Sequence, residues 1–582
     1  MRIAAIIDSN ILVSWNKTKL YVDALVVHPS NGKIVYVGES SVAQELVATL
    51  YSFMPAEEEK EYVVLRGKHY FIYPGLIDAH IHIEALGNRL YWPDLSRCTS
   101  ALEARETLEQ FWRNRKPSES LEYLLAYGWN DELWSSEDRI RWNADFIDES
   151  PILQGIAVFL YRRCLHVCLL NKRAMEMVHS DAYWRALQET SYVRRDSFGR
   201  LTGWHVEKAS FMIQEYLPSP SIEERAHRVD QALKHVSTLG ITSVETNDAN
   251  DAWKVYHYLW SHSRDGDLCV RVYLTPMWEE IFDPVTYQPR QTNPEYLLGN
   301  RYLRWGRVKL FMDGSLGAKT ASLLEPYKCE KEENCGILFM NKEECIRKVS
   351  IAMESGWQCE THAIGDRAVE MISQVYAICT SNNNNNNKSN NVNYRPVLTH
   401  AQLITPLSLQ YMKQSKTIAN IQPSFVSSDC KWIESRIGAE RISFAYAWKT
   451  MDDFGILLSG GSDAPVEDAS PWKGIYAAVE RKDEDNIQVW QPKERLSLEK
   501  AFLLYTENAA FAEYSEHEKG SLEVGYYADM IVLEQNILSI PTLDIRNMSV
   551  IATIVGGKVV YARQQLIVEE RRIDASKCNQ VW

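Results

Sequence analysis

Residues 74–82, PGLIDAHIH, form an apolar run that ends in two histidines two positions apart, His80 and His82. On a strand, side chains at i and i+2 share a face, so both imidazoles project to one side of its end. Two neutral imidazoles converging on one point suit a borderline cation such as Zn²⁺. Two further runs of strand character also close on a histidine, CETH at His362 and VLTH at His400. A third leads into SGGSDAP, which leaves the Asp463 carboxylate at its end beside glycines that permit close backbone approach. Of the chain's 14 histidines, His28, His69, His179, His227, His235, His257, His262 and His517 lie in polar surroundings or on helical faces and read as structural. Lys309, in RVKLFMDG, has apolar neighbours on both sides, and a lone buried ammonium is costly. Either an acid across the strands pairs with it, or its amine has reacted with carbon dioxide. The resulting carbamate is an anionic oxygen ligand able to bridge two cations, which offset its charge.

These side chains need a scaffold that brings distant strand ends together. Short β-branched runs, each followed by a segment of helical periodicity, occur at 76–82, 241–246, 271–276, 307–313, 357–362, 396–400, 417–422 and 456–463. Eight such units are what a closed parallel barrel requires. The gap after the first is too long for a connection and predicts an inserted α+β subdomain over 86–220. Because the insert leaves from the end of strand one, part of it is expected over the face where barrel enzymes do chemistry. It holds Trp92, Trp112, Trp129, Trp134, Trp142, Trp184 and Trp204, either as a small domain's core or as an apolar roof over a substrate.

Both chain ends have a different texture. Alternating segments flank Asn31-Gly32 as a hairpin would, and 529–533, 550–555 and 558–561 repeat the pattern. One small β-sandwich built from both ends follows. The expected architecture is therefore α/β: a TIM-like (β/α)₈ barrel over 74–85 and 221–519, a composite β-sandwich over 1–73 and 520–575, and the insert. The asparagine-rich run 381–393 has no apolar face and reads as a disordered loop.

Composition narrows the function. In 582 residues, 63 basic against 77 acidic side chains leave a net charge of −14, which repels a phosphate backbone. No run of about 18 apolar residues spans a bilayer, and the start of the chain lacks a secretory core, so neither nucleic acid nor membrane is an expected partner and the cytosol is the expected address. Eleven dispersed cysteines suit reduced thiols; neither Cys164 with Cys168 nor Cys329 with Cys335 has zinc-ribbon spacing.

The order His-x-His on strand one, Lys on four, His on five, His on six and Asp on eight resembles the amidohydrolase superfamily. The stretches PGLIDAHIH, VKLFMDGSLGAKTASLLEPY, THAIGDRA, LTHAQL, QPSFVSSD, GSDAPVE and GSLEVGYYADMIVLE resemble its family 3, the YtcJ-like and N-substituted formamide deformylase-like proteins. That resemblance implies His80, His82 and Asp463 at one divalent metal, zinc being the expected ion. It implies His362 and His400 at a second and carboxylated Lys309 as a bridge. Asp463, Lys309 and His362 become the catalytic set, with Asp463 moving the nucleophile's proton to the leaving nitrogen. For substrate contacts it implies His166, Asn171, Glu207, Arg367 and Asp429, with Trp129 added from the insert. Leu165 stands before His166 where the family usually has glycine. Glu245 and Asp248 are expected to orient ligand histidines.

The expected activity is metal-dependent hydrolysis of a non-peptide carbon–nitrogen bond in a small amide such as an N-substituted formamide, by a protein that could act as a homodimer. A non-catalytic scaffold, or a metallohydrolase of esters or cyclic amides, is the alternative.

Overall fold

A computed structural model describes residues 1–15, 21–51, 62–115, 122–131, 134–162, 167–179, 192–206, 209–210, 212–213, 217, 220–248, 251–263, 266–290, 301–328, 333–385 and 394–563. The chain divides into two compact units, one comprising Met1–Glu84 with Ala232–Trp582 and the other Ala85–Gln231.

In the larger unit, nine short parallel segments form two arcs. The first runs in the order Leu303–Trp305, Arg271–Leu274, Ile241–Thr246, Leu76–Ile81. The second runs Arg307–Phe311, Gln358–Ala363, Val397–His400, Ile418–Ile421, Leu458–Gly460. Leu303–Trp305 and Arg307–Phe311 are one run interrupted at Gly306. The Lys309 amide donates to the Pro276 carbonyl at 2.8 Å, tying the two arcs on that side. On the other side the Asp463 amide donates to the His80 carbonyl at 2.7 Å and the His82 amide to the Ala464 carbonyl at 2.9 Å. Gly461 makes the second approach possible, since a Cβ there would sit 2.4 Å from the His80 backbone nitrogen. The strands are buried along nearly their whole length, as expected of parallel sheet covered on both faces. Helices follow them with conventional starts: Pro406–Ser415 has Thr405 as N-cap and proline in its first turn, and Lys342–Glu354 has Asn341 as N-cap.

The helix Asp366–Asn385 enters the asparagine-rich run that composition marks as a loop. Helix propagation from an established face adds one hydrogen bond per residue, so it carries past the last apolar position. Residues 386–393 lie outside the described residues.

Both ends of the chain join one mixed sheet of eight strands. Met530–Leu533 pairs with Phe71–Pro74, Ala552–Val555 and Lys558–Ala562 continue outward, and Arg2–Leu12 is central. Lys558 also pairs with Arg2, so the sheet curls back on itself. Register shifts in Arg2–Leu12 re-aim its side chains. Ile3, Ile6 and Ile11 pack with Met530, Val532 and Ile554, whereas Ala4, Ala5 and Ile7 face Ala43 and Val47 of the helix Ser40–Tyr51. The predicted hairpin joins Tyr21–Val27 to Ile34–Gly38, with Gly32 at φ +67°. Arg271 holds this sheet to the parallel strands through two bonds to Asp529, at 2.6 and 2.9 Å.

The smaller unit has its own sheet, in the order Val193–Arg195, Leu201–Val206, Val167–Leu170, Ala157–Arg162, Tyr123–Trp129. Strand alternation gives it two cores: Tyr123 and Leu125 face one, Leu124 and Ala126 the other. Trp129, Trp134, Trp142 and Trp204 belong to the second core and Trp92 to the first, while Trp184 lies outside the described residues. Among the described residues, no helix is long and apolar enough to cross a membrane.

Candidate metal centre

Five of the six side chains singled out for metal binding gather directly around one point in the larger unit. Ligand atoms of His80, His400 and Asp463 lie within 4.8 Å of one another, and all three residues are buried. His80 Nε2 is 3.4 Å from Asp463 Oδ1, and His82 Nε2 is 3.0 Å from the same oxygen. The His362 ring centroid is 4.5 Å from that of His400, which is 5.4 Å from that of His80. Each imidazole projects from a strand end, and Asp463 follows the last strand with φ +60°.

Every ring is anchored from behind. His80 Nδ1 lies 3.2 Å from Glu360 Oε1, His82 Nδ1 bonds the Asn247 carbonyl, and His400 Nδ1 lies 2.7 Å from Gln422 Oε1. His362 Nε2 lies 3.2 Å from the Gly314 carbonyl. Asp313 stays behind that loop, accepting from the amides of Ser322, Ile364 and Gly365 at 2.8 to 3.0 Å. Asp78 accepts from the amides of Ser462 and His80 and pins strand one to the loop bearing Asp463; burial raises its carboxyl to about 6.

Electrostatics favour lone-pair donors facing a carboxylate. Burial, then repulsion from Lys309, lowers His362 to about 4, and burial holds His400 well below the usual imidazole range. Burial opposes charge on Asp463, yet the imidazoles of His80 and His82 beside it prevail and hold it well below the usual carboxylate range. Burial likewise opposes charge on His82, but bonding to Asp463 raises it overall.

Lys309 is the sixth residue. Its ammonium is fully buried and donates to Glu360 Oε1 at 2.6 Å, the acid partner that burial demanded. Arg307 continues the network, bonding Glu360 Oε2 at 3.0 Å and pairing with Glu245. Glu245 therefore reaches the histidines only through Arg307 and Glu360, and Asp248 is occupied by Thr246, Tyr256 and the Glu84 amide. The carbonyl of Asn247, between them, is what orients His82.

Sequence reasoning passed over Glu360 and Gln422. Glu360 precedes His362 by two on one strand, and that spacing puts both on one face. Gln422 sits just past the end of Ile418–Ile421, two residues after Asn420. Asn247 acts through its backbone and leaves no side-chain signal.

The expected substrate contacts fare differently. Asp429 is buried near the end of the helix Phe425–Asp429, accepts from Tyr446 and Ser428, and is raised by burial to about 7. Arg367 is exposed in the first turn of Asp366–Asn385. His166 and Glu207 lie outside the described residues. Two placements correct the expectation. Asn171 caps the helix Lys172–Val178, and its amide is spent on Asp148, Ile156, Leu153, Val158 and Ala174. Trp129 is fully buried and donates to the Leu160 carbonyl at 3.2 Å, so it packs the insert's core. His205, whose role the sequence left open, is buried with its Nε2 2.9 Å from His179 Nε2.

The profile of the amidohydrolase family matches residues 65–561. The chain belongs to the amidohydrolase family. Among individual amidohydrolase relatives, YtcJ of Bacillus subtilis carries an amidohydrolase name and is 29% identical over 514 residues, 87% of this chain and 91% of that one. N-substituted formamide deformylase of Arthrobacter pascens is 22% identical over 560 residues, covering 93% and 95%. A crystal structure of a metal-dependent hydrolase from Pyrococcus furiosus superposes with a TM-score of 0.71 at 28% identity, covering 91% of this chain and 99% of that one. The protein is thus a metal-dependent hydrolase of the amidohydrolase family, on an α/β fold.

Proposed function

We propose that the protein hydrolyses a non-peptide carbon–nitrogen bond in a small amide, an N-substituted formamide being the leading class, and that its two parallel arcs act as a single (β/α)₈ barrel closed at the seams described above. The observation that carries this reading is the convergence of His80, His400 and Asp463 ligand atoms within 4.8 Å. The donor set fits a divalent cation such as Zn²⁺: four imidazoles, each oriented from behind, and one ionised carboxylate. His80, His82 and Asp463 would hold one ion, and His362 and His400 a second. Lys309 would bridge them after reaction with carbon dioxide, its remaining N–H still available to Glu360. Bound there, the metal supplies Lewis-acid activation of water and of the scissile carbonyl at neutral pH.

The chain's own groups handle the proton and the substrate. Asp463, held ionised, accepts the proton of the attacking water and passes it to the leaving nitrogen, so that the amine departs neutral. Water oxygen replaces nitrogen on the carbonyl carbon, and no side chain becomes acylated. Phe311 lies 5.1 Å from His362 and Phe425 lies 6.5 Å from His400, ring centroid to centroid. These half-buried rings offer apolar contact for the substituent on nitrogen. The name of the Arthrobacter pascens relative supports the formamide class.

The test is a metal analysis of purified protein combined with a substrate panel in which released amine, ammonia and acid are measured separately. Bound zinc or a similar metal with equimolar amine and formate supports the reading. Acid with no amine moves the bond to an ester, and metal-free, inactive protein removes the hydrolase.

A further inference from the structure

We propose that Glu360 is the positioning residue of the centre, fixing the His80 ring so that its Nε2 is presented as a metal donor while the same carboxylate oxygen holds Lys309. This rests on the metal-centre reading above. Three donors converge on Glu360 Oε1: Lys309 Nζ at 2.6 Å, His80 Nδ1 at 3.2 Å and Thr399 Oγ1 at 2.8 Å. The other oxygen takes Arg307 at 3.0 Å. Among the described contacts, no other side chain touches both Lys309 and His80.

A carboxylate only accepts hydrogen bonds, so Glu360 favours the tautomer of His80 that carries its proton on Nδ1. Its Nε2 then carries the lone pair, and that nitrogen faces Asp463 Oδ1 at 3.4 Å. This is the carboxylate–histidine–metal arrangement, in which the outer acid sets tautomer and ring direction. The strands enforce it. Glu360 is in register with Lys309 on one neighbour and with Val397 on the other, two positions before His362. Arg307, itself fully buried and paired with Glu245, fixes the carboxylate from below.

The test measures Zn²⁺ affinity of chelator-stripped protein by competition with a chromogenic chelator, for wild type, Glu360→Gln, Glu360→Asp and Glu245→Gln. Glu360→Gln should weaken binding about 10- to 100-fold, the usual effect of losing an outer-shell partner. Glu360→Asp keeps a charge for Arg307 but draws the oxygen back from His80, and should weaken binding comparably even if the glutamine variant does not fold. Glu245→Gln disturbs the same buried network without touching His80 and should stay within about threefold of wild type. Wild-type affinity in the folded Glu360 variants overturns the proposal, and so does an equal loss in Glu245→Gln, which would mark a general effect of the network. Wild-type protein that binds no Zn²⁺ overturns the metal-centre reading itself, and that arm is read first.

Discussion

Two histidine clusters, one in each unit, show what separates a ligand set from a packing pair. Around Asp463 four imidazoles face inward, and each is held from behind by a carboxylate, a carbonyl or an amide oxygen. In the smaller unit His179 and His205 spend their Nε2 atoms on each other at 2.9 Å, with His205 Nδ1 bonded to the Gly203 carbonyl. Burial lowers both of these rings, His179 to about 3 and His205 to about 4. The first cluster has Asp463 opposite its rings, 3.0 Å from His82 Nε2 and 3.4 Å from His80 Nε2. Burial and imidazoles are common to both clusters; the carboxylate within reach is what makes the first a candidate metal site.

Asp463→Asn breaks the first cluster at that anion. We expect kcat/KM on the amide substrate to fall about 10²- to 10⁴-fold, the range for losing a general acid–base group, and the unfolding midpoint of the apoprotein at neutral pH to drop, because the ionised carboxylate that His80 and His82 favour is lost. Steady-state kinetics and a denaturation curve check both halves.

Trp129→Ala strikes the other unit at its densest point. Truncating a buried tryptophan costs about 3–5 kcal/mol, so denaturant unfolding should lose about that much while bound metal stays unchanged. A rise in KM without that loss of stability would return Trp129 to the substrate.

A matched pair sharpens the contrast further. His400→Ala should lower the metal per chain, measured by atomic emission. His205→Ala should leave the metal untouched and lose about 1–3 kcal/mol of stability through the partner it strands.

The smallest effect is a slope with pH. His362 has its pKa near 4 in the fold against about 6.5 when unfolded, so between those values the unfolded chain binds more protons. Stability of the apoprotein should rise as pH climbs through that window and flatten above it. Excess Zn²⁺ should add stability through the Asp463 cluster and leave the contribution of His205 unchanged. Urea midpoints at several pH values, with and without metal, provide the check.

The first cluster was legible because its members are rare residue types at the ends of β-branched runs. His80, His82, His362, His400 and Asp463 announce themselves by type and position. The groups that aim them were not, since Gln422 is an ordinary polar residue and Asn247 contributes only a carbonyl. Glu360 offered a spacing signal beside His362 that was not used. In the insert, residue type misled: Asn171 and Trp129 resemble ligand-binding residues, but a cap needs an amide and a core needs a large ring. The strands were readable from their apolar runs. Ile241–Thr246 matches at both ends, and the ends of the other runs differ by no more than three residues.

The curled sheet has a consequence for biosynthesis. Phe71–Pro74 cannot gain its neighbour Met530–Leu533 until more than four hundred further residues have left the ribosome. Until then Ile72 and the isoleucines of Arg2–Leu12 offer an apolar, half-paired edge of the kind that recruits strands from other chains. A nascent polypeptide halted before residue 530 should be a magnet for chaperones.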